Sequence, residues 1–93
     1  MHAEQRQVLL DALEKDPDNP VGRFEFAYIL EQEKQWSDSL REYQAAKRLA
    51  ANVKGTKYND PRGNVYDVDG VREEVGKAID RVSNLKESAG RQK

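Results

Sequence analysis

The run Asp16-Pro17-Asp18-Asn19-Pro20 separates two stretches of helical apolar period and obliges the chain to turn there. Pro17 drives Asp16 away from helical angles, so a helix arriving from the N-terminal side stops at this point. Asn19 is a strong N-cap, and Pro20 suits the first position of the next helix. A chain punctuated in this way is predicted to fold as antiparallel helices.

The apolar residues on either side support that reading. Val8, Leu9, Ala12 and Leu13 recur at helical spacing and predict a first helix over 3–15. The second helix is predicted over 20–33. Its apolar residues, Val21, Phe24, Phe26, Ala27, Tyr28, Ile29 and Leu30, cover more than one face. Such a helix expects neighbours on two sides, or one neighbour and a ligand. After the polar connector Gln32-Glu33-Lys34-Gln35, a third helix starts at Trp36 or Ser37 and runs to Ala51. Trp36, Leu40, Tyr43, Ala46, Leu49 and Ala50 form its inner face.

Gly55, Asn59-Asp60-Pro61 and Gly63-Asn64 then break the pattern across 52–67. An ordered irregular loop is expected here; the alternative is a short β-hairpin pairing Thr56–Asn59 with Asn64–Tyr66. A last helix is predicted over 68–87, capped by Asp67 or Asp69. Val71, Val75, Ala78, Ile79, Val82 and Leu85 form its apolar stripe, with Arg72 and Arg81 on the wet side. Residues 88–93 are expected to fray.

Composition narrows the function classes. Ninety-three residues make one domain, 1–93, with a modest core. Charged residues are 35% of the chain and hydrophobic residues 37%, as short amphipathic helices require. Sixteen basic side chains against seventeen acidic ones leave a net charge of -1. Counterion release therefore offers little, and neither nucleic acid nor an anionic membrane is expected as a partner. With no cysteine, disulfides, thiolate catalysis and cysteine-based zinc sites are excluded. No apolar run approaches the roughly 20 residues that span a bilayer. The start MHAEQRQ has no signal-peptide core. A cytoplasmic, soluble protein is expected.

No catalytic constellation emerges. His2 is the one histidine and stands near the chain end. Asp60, Asp67 and Asp69 lack the alternating ligands and late glutamate of a calcium loop, and helix capping accounts for them. Gly63 and Gly70 are too isolated for a phosphate cradle. Ser37, Ser39 and Ser83 have no histidine partner to activate a nucleophile. Neither enzyme activity nor a metal or other cofactor is expected.

The second and third helices resemble one tetratricopeptide repeat (TPR). The matching residues are Asp16-Pro17-Asp18-Asn19-Pro20, then Phe26-Ala27 and Leu30, then Trp36, Ser39-Leu40, Tyr43 and Ala46. Pro17 and Ala51 stand one family period of roughly 34 residues apart. The first helix is similar to the second half of a preceding repeat. Arg23, where the family often has a large apolar residue, and Ala51, in place of the closing proline, depart from the pattern. The resemblance implies an all-α, right-handed array of about four helices, with small residues at the close approaches. The repeat region is 3–51, and the last helix acts as a cap.

In that family the first helices of successive repeats line a groove that receives a peptide or protein segment. By resemblance, the groove-facing positions are Val21, Phe24, Tyr28, Glu31 and Gln32; the alternative is that Phe24 and Tyr28 pack under the last helix or the loop. Members that clamp acidic chaperone tails use lysine, arginine and asparagine there, so that clamp is not expected. Tyr58, Arg62 and Tyr66 form a second candidate surface, or else simply cover the end of the helical stack. Arg41, Lys47 and Arg48 read as a solvated face with ion pairs to neighbours such as Glu42. The expected function is a non-catalytic protein–protein interaction module, a scaffold or adaptor. The alternative is a self-associating homodimer or the terminal segment of a longer helical array.

Overall fold

At Asn19 the backbone is extended (φ −72°, ψ 110°), and its side-chain oxygen accepts from the amides of Val21 (3.0 Å) and Gly22 (3.2 Å). These are the amides that the start of a helix leaves without partners. A computed structural model describes residues 2–91 of the chain, with side chains for residues 4–90. Among them lie α1 (His2–Lys15), α2 (Pro20–Gln32), α3 (Trp36–Asn52) and α4 (Asp69–Arg91). A two-stranded antiparallel hairpin, β1 (Lys57–Asn59) and β2 (Val65–Asp67), interrupts the helices between α3 and α4. The fold is all-α, and no described helix is long and apolar enough to cross a membrane.

Small residues set the helix spacings. Gly22 lies against α1, where a Cβ would fall 3.0 Å from Leu13 Cδ2, so a side chain there forces Leu13 to move. Ala27, Ser39 and Ala46 are fully buried where α2 crosses α3. The Ser39 hydroxyl donates to the Ala27 carbonyl at 2.8 Å, so its burial leaves no unpaired donor. Tyr43 is fully buried beside this crossing, and Phe24 meets its ring edge-on at 5.4 Å between centroids. Val71, Val75, Ala78 and Val82 of α4 complete the core against Ala46 and Ala50 of α3.

The turn between α2 and α3 closes without glycine. Lys34 takes a left-handed conformation (φ 62°), its amide reaches Glu31 O, and the Gln35 amide reaches Leu30 O. These paired bonds satisfy carbonyls that the end of α2 would otherwise leave open.

The segment after α3 is not an irregular loop but the hairpin, in register Lys57↔Asp67, Tyr58↔Tyr66 and Asn59↔Val65. Asp60 organises its turn, accepting from the amides of Arg62 (2.9 Å) and Asn64 (2.8 Å), while Gly63 adopts φ 89°. Short polar side chains that bond the backbone ahead of them, followed by glycine, supply this geometry. α4 also continues to Arg91, past the predicted helix end at 87; residues 92–93 lie outside the described ones. Once nucleated on the core, a helix rich in good formers propagates beyond its last packed residue. The stripe itself ends at Val82, and Leu85 is left 39% exposed.

Arg72, exposed on the wet side as periodicity predicts, also terminates α3. Its guanidinium donates to the carbonyls of Ala50 (2.9 and 3.1 Å), Val53 (2.7 Å) and Gly55 (2.6 Å). A planar fork serves three diverging carbonyls where a point charge cannot. Arg72→Met, which keeps the stem and removes the donors, is expected to cost about 2 kcal/mol in urea denaturation. Amide exchange should accelerate most in the last turn of α3.

Candidate partner-binding site

α1 packs on α2 through Leu13 and Gly22 at one end, and Arg6 of α1 lies over the Phe26 ring of α2, 5.8 Å from its centroid, toward the other. Between them runs an open trough of about 860 Å³. Its α1 wall carries Val8, Leu9 and Ala12, and its α2 wall carries Val21, Phe24, Tyr28 and Ile29. Tyr66 of the hairpin lines it too, and Glu4, Gln5, Asn19 and Glu25 are its polar members. Val8 is 70% exposed and Tyr28 51% exposed, so both apolar side chains stand free in the trough.

The predicted groove residues divide. Val21, Phe24 and Tyr28 line the trough together, although Phe24 also packs its edge on Tyr43. Gln32 is exposed but lies outside the trough. Glu31 does not face the groove. It is 8% exposed and points toward α3 and α4, because three residues beyond Tyr28 place it about 60° round the helix. There its carboxylate takes two bonds from Arg81 (2.7 and 2.8 Å) and one from the Tyr43 hydroxyl (2.8 Å). The Arg81 guanidinium holds the Glu31 carboxyl below its ordinary value, outweighing the effect of burial. Burial and the Glu31 carboxylate push the Tyr43 phenol above its usual range.

The second candidate surface is partly structural. Tyr58 and Tyr66 face each other across the hairpin with ring centroids 6.3 Å apart. The Tyr58 hydroxyl donates to Asp16 Oδ1 at 2.7 Å, tying the hairpin to the α1–α2 corner. Burial, aided by Asp16, pushes that phenol up. Arg62 is exposed at the hairpin turn and borders a smaller cleft of about 110 Å³ with Asp16, Asp60 and Tyr66. Asp16 Oδ2 is buried there without a hydrogen-bond partner.

Other placements differ from the sequence reading. Glu42 pairs not with the cations of α3 but with Arg23 of α2 at 2.9 Å, while Arg23 also donates to the Pro17 carbonyl. Arg41 pairs with Asp38 at 3.1 Å. The departure at Arg23 thus becomes a polar tie between the helices. Among the described residues no cluster of three or more potential metal ligands occurs, and the side chain of His2 lies outside them.

Val8, Ile29, Glu4 and Glu25 are trough residues that the sequence does not single out as a binding surface. The α1 stripe signals burial, and periodicity alone does not distinguish a covered stripe from one left open. Glu25 is exposed at the edge of the apolar wall, and partial desolvation there pushes its carboxyl up. No family model matches the chain, and neither a curated protein nor a solved structure matches it.

Proposed function

We propose that the chain is a non-catalytic protein–protein interaction module of tetratricopeptide type, which receives a partner segment in the α1–α2 trough. The observation that carries this reading is the pair of exposed apolar side chains, Val8 at 70% and Tyr28 at 51%, standing in one continuous apolar trough. Contiguous exposed apolar surface of this kind marks interaction sites. The close crossing of Ala27 with Ser39 and the cap at Asn19 support the repeat reading. The second wall of the trough is α1, which resembles the closing helix of a preceding repeat, so the trough differs from the family's groove, lined by the first helices of successive repeats.

A random peptide library selected against the wild type and counter-screened on Tyr28→Ala tests the proposal. An exposed aromatic anchor predicts about a thirty-fold loss of affinity, with thermal melting unchanged. Ligands indifferent to both Tyr28 and Val8 would remove the reading. The exposed face of α1 also favours a second reading, in which Val8 packs on another copy or on a neighbouring repeat. Sedimentation across a concentration series separates the two, because only the second predicts a rising mass.

A further inference from the structure

We infer that the trough takes a helix-forming segment whose apolar face is flanked by lysine or arginine, a partner chemistry that rests on the interaction-module reading. The first support is charge. Glu4 and Glu25 are the ionised side chains lining the trough, and neither forms an ion pair among the described residues. Cations close to them in sequence are already engaged: Arg6 with Glu33, and Arg23 with Glu42. The trough therefore carries an uncompensated negative field along apolar walls. The Glu25 carboxyl, partly desolvated, gains most when a cation arrives beside it.

The same feature selects against other occupants. An acidic segment brings like charges together in a partly dry site, which costs affinity and slows encounter. A second copy seated face to face by a two-fold axis brings two pairs of these glutamates into one interface. Self-association through the trough is disfavoured for that reason.

The second support is the backbone. Both trough walls are helices, whose amides and carbonyls are satisfied within each helix, so the apolar part of the trough offers no strand edge. An extended segment laid there would bury amides and carbonyls without partners. A helix satisfies its own and presents apolar anchors at i, i+3, i+4 and i+7 to Leu9, Val21, Phe24 and Tyr28.

The test uses three helix-forming peptides of about fifteen residues with one shared apolar face, flanked by lysine, glutamine or glutamate. The lysine peptide is expected to bind tightest and the glutamate peptide weakest, with the spread shrinking at high salt. The exposed double substitution Glu4→Lys/Glu25→Lys should weaken the lysine peptide roughly ten-fold and favour the glutamate peptide. Circular dichroism checks that this variant remains folded. Equal affinity for all three peptides, still lost on Tyr28→Ala, overturns the charge inference and leaves the interaction module standing. Preference for the glutamate peptide, or no binding by any of the three, also overturns it. A dimer abolished by Val8→Asp would seat a second copy in the trough and overturn it as well.

Discussion

Replacing Tyr43 with alanine is expected to destabilise the chain by about 4 kcal/mol, the loss typical of a large aromatic side chain removed from a core. Tyr43 is fully buried, lies between α2, α3 and α4, and takes the edge of Phe24. Its neighbours Ala27, Ala46 and Ala78 are small and have no length with which to fill the void. A domain of this size is stable by roughly 5–14 kcal/mol, so the variant forfeits a large part of the total. Tyr43→Phe keeps the ring and removes one bond to a carboxylate, which predicts a loss of about 1.5 kcal/mol. Urea denaturation of both variants measures the difference. A loss below about 1 kcal/mol for the alanine variant would mean that the three helices do not share this core.

Arg81→Met is expected to cost about 3 kcal/mol near pH 7, more than Glu31→Gln, although the two residues form one pair. The asymmetry follows from exposure. The Glu31 side chain is 8% exposed and that of Arg81 48% exposed. Removing arginine strands a buried carboxylate, whereas removing the negative charge frees a cation already half in water; solvent screening at that exposed end keeps the estimate at the low end of the buried-pair range.

The pH dependence separates this account from lost packing. In the wild type the Glu31 carboxyl is held below its ordinary 4.5. Its contribution is full above the unfolded value and is lost as the pH falls through the folded one. In Arg81→Met, burial without the cation pushes the carboxyl up, so acid relieves the folded variant. The stability gap between wild type and variant should therefore narrow as the pH falls below 4.5 and through the folded value of the carboxyl. A gap independent of pH would assign the loss to packing by the arginine stem.

The elements that repeat at close range were legible in the sequence, and those that depend on distant partners were not. Asp16-Pro17 and Asn19-Pro20 act on their immediate neighbours, so the first turn and the start of α2 followed from local rules. Ala27, Ser39 and Ala46 announced the helix crossing because only small side chains allow it. Arg72 and Arg81 are exposed on the wet side as predicted, but their partners were missed for a shared reason. Both lie at the flank of the α4 stripe, and their partners are 22 and 50 residues away in the chain. No periodicity encodes such a partner.

Tyr58 and Tyr66 gave a mixed signal. The Asn-Asp-Pro-Arg-Gly-Asn run contained the hairpin turn, but strands of three residues are too short to alternate convincingly. The trough was half legible. The excess of apolar residues on α2 required a second neighbour, and Val21, Phe24 and Tyr28 were identified with it. That α1 would leave Val8 uncovered depended on which part of its stripe meets α2, and periodicity does not encode that.

Whether a partner seats between α1 and α2 is tested most directly by backbone amide chemical-shift mapping on titration with a library-selected peptide. The account predicts that the largest shifts cluster at Val8, Leu9, Val21, Glu25 and Tyr28, with a smaller response at Tyr66. Shifts concentrated instead on the outer face of α4, or on the exposed flank of α3 around Lys47 and Arg48, would contradict it.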